Sequence, residues 1–188
     1  RKAVRAAVED HRAQALQYGT TDGRIETKQV FCTLMRDIGV RCKPDQVLIT
    51  SGAQEALDLL GKVFIDPGDI ILVEGPTYLT ALQAFSTYEP EVHAIRFDDE
   101  GMRMDLLEEE LKKIGKNNPR LKFCYTIPNF QNPSGITMSL EKRKKVYELC
   151  REHNVIILED NPYGDLRFAG EDVPSIKSLD TEGVVVYA

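Results

Sequence analysis

Ile70-Ile71-Leu72-Val73-Glu74 is the stretch that decides the fold. Four apolar residues in a row, without alternation, mark a strand buried on both faces. Such strands belong to parallel sheets covered by helices. Just before them, Asp66-Pro67-Gly68-Asp69 is a turn by its residue chemistry. Before that turn, Ala53, Ala56, Leu57, Leu60 and Phe64 recur at helical spacing, which predicts a helix over Ala53 to Phe64. Helix, turn and doubly buried strand form the repeating unit of α/β architecture.

The alternation continues in both directions. Val47–Thr50 reads as a short strand, Thr80 to Tyr88 as a helix and Val92 to Phe97 as a strand ending in the turn Asp98-Asp99-Glu100-Gly101. Leu106 to Ile114 reads as a helix, with Glu108, Glu109 and Glu110 early and Lys112 and Lys113 late, an order that suits the helix dipole. Leu121 to Ile127 is a strand, and Ser139 is a good N-cap for a helix running to about His153. Val155–Leu158 and Val184–Tyr187 are further strands. Residues 1–30 read as polar helices separated by the loop Tyr18 to Gly23. The pattern predicts a mostly parallel sheet with right-handed crossovers. A buried strand calls for a crossover after it, so the sequence reads as a slice of a longer protein.

Composition sets the bounds. The chain has 188 residues, about one domain. It is 42% hydrophobic and 29% charged, ordinary for a globular chain and unlike disordered or collagenous sequences. Net charge is −6, from 30 acidic and 24 basic residues, which does not favour a nucleic-acid binder. The longest basic cluster, Lys142-Arg143-Lys144-Lys145, reads as a solvated helix face. Cys32, Cys42, Cys124 and Cys150 are scattered, with no metal-ligand spacing to His11, His93 or His153. Four such thiols suggest a reducing compartment, hence the cytoplasm. No apolar run approaches the roughly 20 residues needed to cross a bilayer. The first residues do not read as a signal peptide.

In parallel α/β sheets ligands bind at the carboxyl ends of the strands. After Val47–Thr50 comes Ser51-Gly52-Ala53-Gln54, opening a helix. Amides at a helix start attract an anion, and Gly52 lets a phosphate approach; from these residues alone a plain Ser cap with Gly in a tight turn is the better reading. After Glu74 comes Gly75-Pro76-Thr77-Tyr78, whose Tyr78 could lie on a ring or pack on the surface. The turn segment Pro128 to Gly135 places Asn132 before Pro133, an extended position from which its amide can be aimed inward. After Leu158 comes Glu159-Asp160-Asn161-Pro162-Tyr163. Asp160 stands where an apolar strand meets the ligand end; it caps a turn in water or pairs with a protonated ring nitrogen. An anion cradle, a ring-stacking tyrosine, an amide, a carboxylate and a phenol together suit pyridoxal phosphate.

In these segments the sequence resembles the class I/II aminotransferases, fold-type-I pyridoxal-phosphate enzymes, and within them the branch of 2-aminoadipate and kynurenine aminotransferases. The matching stretches are Leu16-Gln17-Tyr18 with Gly23, Thr50 to Leu57, Asp66 to Asp69, Glu74 to Tyr78, Pro128 to Gly135, and Glu159 to Tyr163. The resemblance implies a fold: the large cofactor domain, an incomplete α/β/α sandwich over residues 1–188, with the small C-terminal domain outside this chain. It implies roles as well. The Gly52-Ala53-Gln54 backbone would bind the pyridoxal 5'-phosphate phosphate group, and Tyr78 would stack on the ring. Asn132 and Tyr163 would bond its phenolic oxygen, and Asp160 its pyridinium nitrogen. Tyr18 would reach the phosphate of the neighbouring subunit in a homodimer.

Ala53 departs from the serine of many relatives, which puts one hydroxyl contact in doubt. The family's Schiff-base lysine and substrate-carboxylate arginine would lie beyond residue 188, and Lys177 precedes the strand that leads to that lysine. Val47–Thr50 would neighbour an antiparallel strand outside this sequence and so would not pair with Val184–Tyr187. The resemblance implies transfer of an amino group from an α-amino acid to a 2-oxo acid such as 2-oxoglutarate, with no membrane or nucleic-acid partner. The slice alone would be inactive. Two alternatives share the visible pattern: the ligand-sensing domain of a winged-helix transcriptional regulator, and a β-lyase of the same fold.

Overall fold

In the computed structural model, residues 1–188 are described, with the side chains of all but residues 10–15. The chain divides into two compact units, residues 1–37 with 41–50, and residues 38–40 with 51–188. The first unit holds helices α1 (Lys2–Ala15) and α2 (Ile25–Asp37) and a 3-10 turn at Pro44–Gln46. Lys28 is buried there and pairs with Asp22, whose backbone carbonyl accepts from Ile49 N–H at 3.2 Å. The loop expected between two N-terminal helices is present.

The expected strand Val47–Thr50 does not form. These residues belong to no ladder among the described residues, and they do not pair with Val185–Tyr187. Apolar, β-branched residues favour extended backbone, but a strand exists only where a neighbour takes its amides and carbonyls.

The second unit is built on β1 (Ile70–Gly75), whose first five residues are all buried. Parallel neighbours lie on both sides of it: β2 (Glu91–Asp98) and β4 (Leu121–Thr126). β5 (Ile156–Glu159) and β6 (Val185–Tyr187) extend the sheet in parallel beyond β4. Gly101–Met102 (β3) folds back antiparallel onto β2, giving the order β3-β2-β1-β4-β5-β6. β3 begins at Gly101, the last residue of what the sequence presents as a turn.

Helix α3 (Ala53–Phe64) follows its predicted stripe from Leu57 onward, with Leu57 buried and Leu60 and Phe64 packed on the core, while Ala53 is exposed. Helices α4 (Leu79–Ser86), α5 (Met104–Ile114) and α6 (Leu140–Glu152) follow, and a single turn, α7 (Ile176–Leu179), precedes β6. The two sheet faces bury separate cores. One gathers Leu72, Cys124, Ile157 and Val185 with Leu107, Leu111, Val146 and Cys150; the other gathers Ile71, Val73, Phe123, Tyr125 and Leu158 with Leu57 and Phe85. Strand alternation assigns neighbouring residues to opposite faces.

Arg143 corrects the reading of the basic cluster. It is fully buried on α6, not solvated. It lies three, four and seven residues before the buried Val146, Tyr147 and Cys150, so helical periodicity turns it inward. Its guanidinium donates to the carbonyls of Met138 (3.0 Å), Val173 (3.2 Å), Pro174 (3.1 Å) and Pro128 (2.9 Å) and to Asn129 Oδ1 (2.7 Å). Burial lowers its pKa to about 10, with Glu159 opposing the shift.

At the amino ends of the strands, charge clamps the sheet. Arg120 donates to Gly68 O (2.9 Å from Nε) and to Glu91 (3.0 Å), while Lys122 pairs with Asp69 at 3.2 Å. No described helix is long and apolar enough to cross a membrane.

Candidate cofactor site

Of the four segments singled out in the sequence, three follow strands of the sheet: β1, β4 and β5. The fourth, Ser51–Gln54, follows Val47–Thr50, which forms no strand, so its expected strand support is absent. Gly52 is the N-cap of α3 at φ 98° and ψ 171°, a region essentially closed to other residues. A Cβ there would meet nothing within 4 Å, so the start of α3 is open. The first amides of a helix have no carbonyl one turn earlier to bond, and here Ala53 and Gln54 are exposed. Gln54 Nε2 donates to Thr80 O at 3.2 Å, tying this helix start to α4.

Tyr78 is the N-cap residue of α4 and packs, half-buried, against the same apolar cluster as Tyr163. Asn132 Nδ2 donates to Tyr163 OH at 3.4 Å, so the amide and the phenol meet across 31 residues of sequence. Tyr18 belongs to the first unit and is fully exposed.

Asp160 is 3% exposed. Its Oδ2 accepts the Tyr125 hydroxyl at 2.7 Å, while Oδ1 is buried with no hydrogen-bond partner among the described residues. Burial raises its pKa, and the Tyr125 bond acts against the rise. The Tyr125 phenol is pushed up strongly by burial and by the Asp160 charge. The only other buried orphan among the described side chains is Thr77 Oγ1, beside Tyr78.

Several residues beneath the site went unread in the sequence. Glu74 ends the buried part of β1 and accepts from Thr126 Oγ1 (2.7 Å), Ile127 N–H (3.1 Å) and Gln131 Nε2 (3.2 Å). Burial raises its pKa to about 7, against those three hydrogen bonds. Gln131 also donates to Pro76 O (2.9 Å) and accepts from Ser134 N–H (3.0 Å), holding the loop that carries Asn132. The signal was available: Glu74, Tyr125 and Thr126 are polar atoms inside otherwise apolar strands, and each needs a partner.

A parallel α/β sheet with polar groups gathered where its strands end defines a class of ligand-binding domains. Within that class the chain belongs to the class I and II aminotransferases, whose family model matches residues 1–187. It is 52% identical over 185 residues to an aromatic-amino-acid aminotransferase of Thermococcus litoralis, covering 98% of this chain and 44% of that protein. A kynurenine aminotransferase of Pyrococcus horikoshii, solved with PMP, superposes at a TM-score of 0.90 with 45% identity; 99% of this chain and 46% of that one are covered. An α-aminoadipate aminotransferase of Thermus thermophilus, solved with N-(5'-phosphopyridoxyl)-L-leucine, superposes at 0.86 with 38% identity, over 99% and 46%. The chain thus spans under half the length of the relatives it matches.

Proposed function

We propose that the protein carrying this segment moves an amino group from an α-amino acid to a 2-oxo acid, and that residues 1–188 are part of its large cofactor domain. The cofactor of this family is pyridoxal 5'-phosphate. One observation carries the reading of the site: a carboxylate oxygen, Asp160 Oδ1, buried with no donor among the described residues. A protonated ring nitrogen supplies the missing donor. The sign of the electrostatics agrees. Alone, Asp160 is held up by burial; a cation beside it brings it back to the ionised form.

The residues present fit the rest of the cofactor. The amides of Ala53 and Gln54, opened by Gly52, would hold the phosphate. Tyr78 would cover a ring face, and Asn132 with Tyr163 would donate to the phenolic oxygen. When bound, the protonated ring withdraws the electron pair left as the substrate Cα–H bond breaks. Asp160 keeps that ring nitrogen protonated, so its charge serves the reaction from a fixed place. The lysine that carries the cofactor is assigned to the segment after β6, and Tyr18 to the phosphate of a second subunit in a homodimer. A cytoplasmic location fits the scattered thiols, which form no disulfide among the described residues.

The test uses the full-length protein with cofactor bound. Single amino acids are added while the visible band is followed, and 2-oxoglutarate is added afterwards. Loss of the band with a donor and its return with the oxo acid is the expected result. Release of ammonia and pyruvate would move the assignment to a lyase. A band that no donor changes would move it to a ligand sensor.

A further inference from the structure

Behind Asp160, on the other face of the sheet, a line of side chains joins the ends of three strands. Arg143 donates to Asn129 Oδ1 at 2.7 Å, Asn129 Nδ2 donates to Asn161 Oδ1 at 2.7 Å, and Asn161 Nδ2 donates to Tyr187 OH at 2.7 Å. Asn129 follows β4, Asn161 follows β5 and Tyr187 ends β6. The direction of every bond is fixed from one end. A guanidinium only donates, so Asn129 must present its oxygen to Arg143 and its amide nitrogen to Asn161. Asn161 is then forced to turn its own nitrogen to Tyr187. The backbone is tied at the same place: Asn161 N–H donates to Ala188 O and Ala188 N–H to Glu159 O, both at 2.9 Å.

We propose that Asn161 is a positioning residue for the cofactor site. Its side chain locks the β5 end, which carries Asp160 and Tyr163, to the loop that carries Asn132 and to the segment leaving β6. The hydrogen bonds of the Asn161 side chain go to Asn129 and Tyr187, neither of them assigned to the ring. Asn161 acts by setting where the residues assigned to the ring stand relative to one another, with the buried Arg143 as the anchor. The role rests on the cofactor assignment made above; the lock itself does not.

The test compares Asn161→Ala, Asn161→Asp and Tyr187→Phe in the full-length protein. Amide hydrogen exchange of Asn161 and Ala188 is read without cofactor, and the cofactor dissociation constant by titration. Asn161→Ala is expected to speed exchange at those two amides and to weaken cofactor binding, each by about tenfold or more. Asn161→Asp is expected to stay within about threefold of the parent, because a carboxylate accepts from Asn129 and from a rotated Tyr187 hydroxyl. Tyr187→Phe removes the last bond alone and is expected to shift both readouts the same way, by less; it decides the matter if Asn161→Ala fails to fold. A lower melting temperature with parental exchange at the two amides and parental affinity would overturn the proposal. If the parent protein binds no cofactor, the cofactor assignment fails and the positioning role with it. The exchange arm then still reports on the lock.

Discussion

Tyr125 donates its hydroxyl proton to Oδ2 of Asp160 at 2.7 Å and leaves Oδ1 buried without a partner among the described residues. On the reading proposed above, the pair divides the carboxylate into an oxygen held by the protein and an oxygen kept for a ligand. Asp160→Ala in the full-length protein should lower turnover by about 10²- to 10³-fold, the scale of a lost charge at a water-excluded site. The fold should survive at a cost of about 1–3 kcal/mol, from the Tyr125 hydroxyl left without its acceptor. Tyr125→Phe should cost about tenfold in turnover, because it removes only the group that orients Asp160. Turnover and urea unfolding measured on both variants check this. Undiminished turnover in Asp160→Ala removes the assignment.

Glu74 makes stability fall as pH rises. Its ordinary pKa is 4.5, and burial lifts it to about 7 in the folded chain. The folded state therefore favours the protonated acid. That contribution is complete below 4.5, declines through the window up to about 7, and is gone above it. The difference corresponds to roughly 3 kcal/mol. Glu74→Gln keeps an oxygen for Ile127 N–H and Gln131, and turns an amide to the Thr126 hydroxyl, which can accept as well as donate. Subtracting its unfolding free energies from the parent's should give a curve that falls by roughly 3 kcal/mol across that window. Glu159 is raised in the same direction and leaves a residual decline in both proteins, which cancels in the difference; Asp160, whose charge helps to raise Glu74, cancels only in part. A flat difference curve would mean that Glu74 titrates normally.

Arg143→Met should be among the most destabilising single changes in this chain. Four carbonyls and the Asn129 amide oxygen would lose a donor inside the protein. Roughly 3–5 kcal/mol is the expected loss by denaturant unfolding, because several buried acceptors, at about 1–3 kcal/mol each, lose a donor and relaxation recovers part of the sum. Arg143→Lys should recover only part of it, since an ammonium cannot reproduce the planar fork.

Gly52→Ala separates strain from recognition. The backbone at φ 98° and ψ 171° should cost an alanine about 1–3 kcal/mol in the protein without cofactor. The new Cβ would also stand in the open space at the start of α3. The rise in melting temperature produced by added pyridoxal 5'-phosphate should therefore shrink. A full cofactor-induced rise in the variant would place the phosphate elsewhere.

The sequence made some of this plain and hid the rest for physical reasons. β1 was legible because four unbroken apolar residues have no other home, and α3 because its stripe repeats over three turns. Val47–Thr50 has the composition of a strand, but whether a ladder partner stands beside it is not written locally. Arg143 hid inside a basic run; only its place on the stripe of Val146, Tyr147 and Cys150 separates it from Lys142, Lys144 and Lys145. Asn132, Tyr163 and Asp160 were marked by turn residues at strand ends. Tyr125, 35 residues from Asp160, passed for core, since only the sheet brings the two together.

The clamps at the opposite end of the sheet have a consequence of their own. Arg120 with Gly68 and Glu91, and Lys122 with Asp69, lie one length of β4 from Asp160, about 20 Å for a six-residue strand. At that distance they lie beyond a Debye length from Asp160. Ion pairs there can be exchanged, added or screened by salt with only a change in heat tolerance. The domain is thus a chassis in which adaptation to temperature and adaptation to a new substrate draw on separate sets of positions and need not compete.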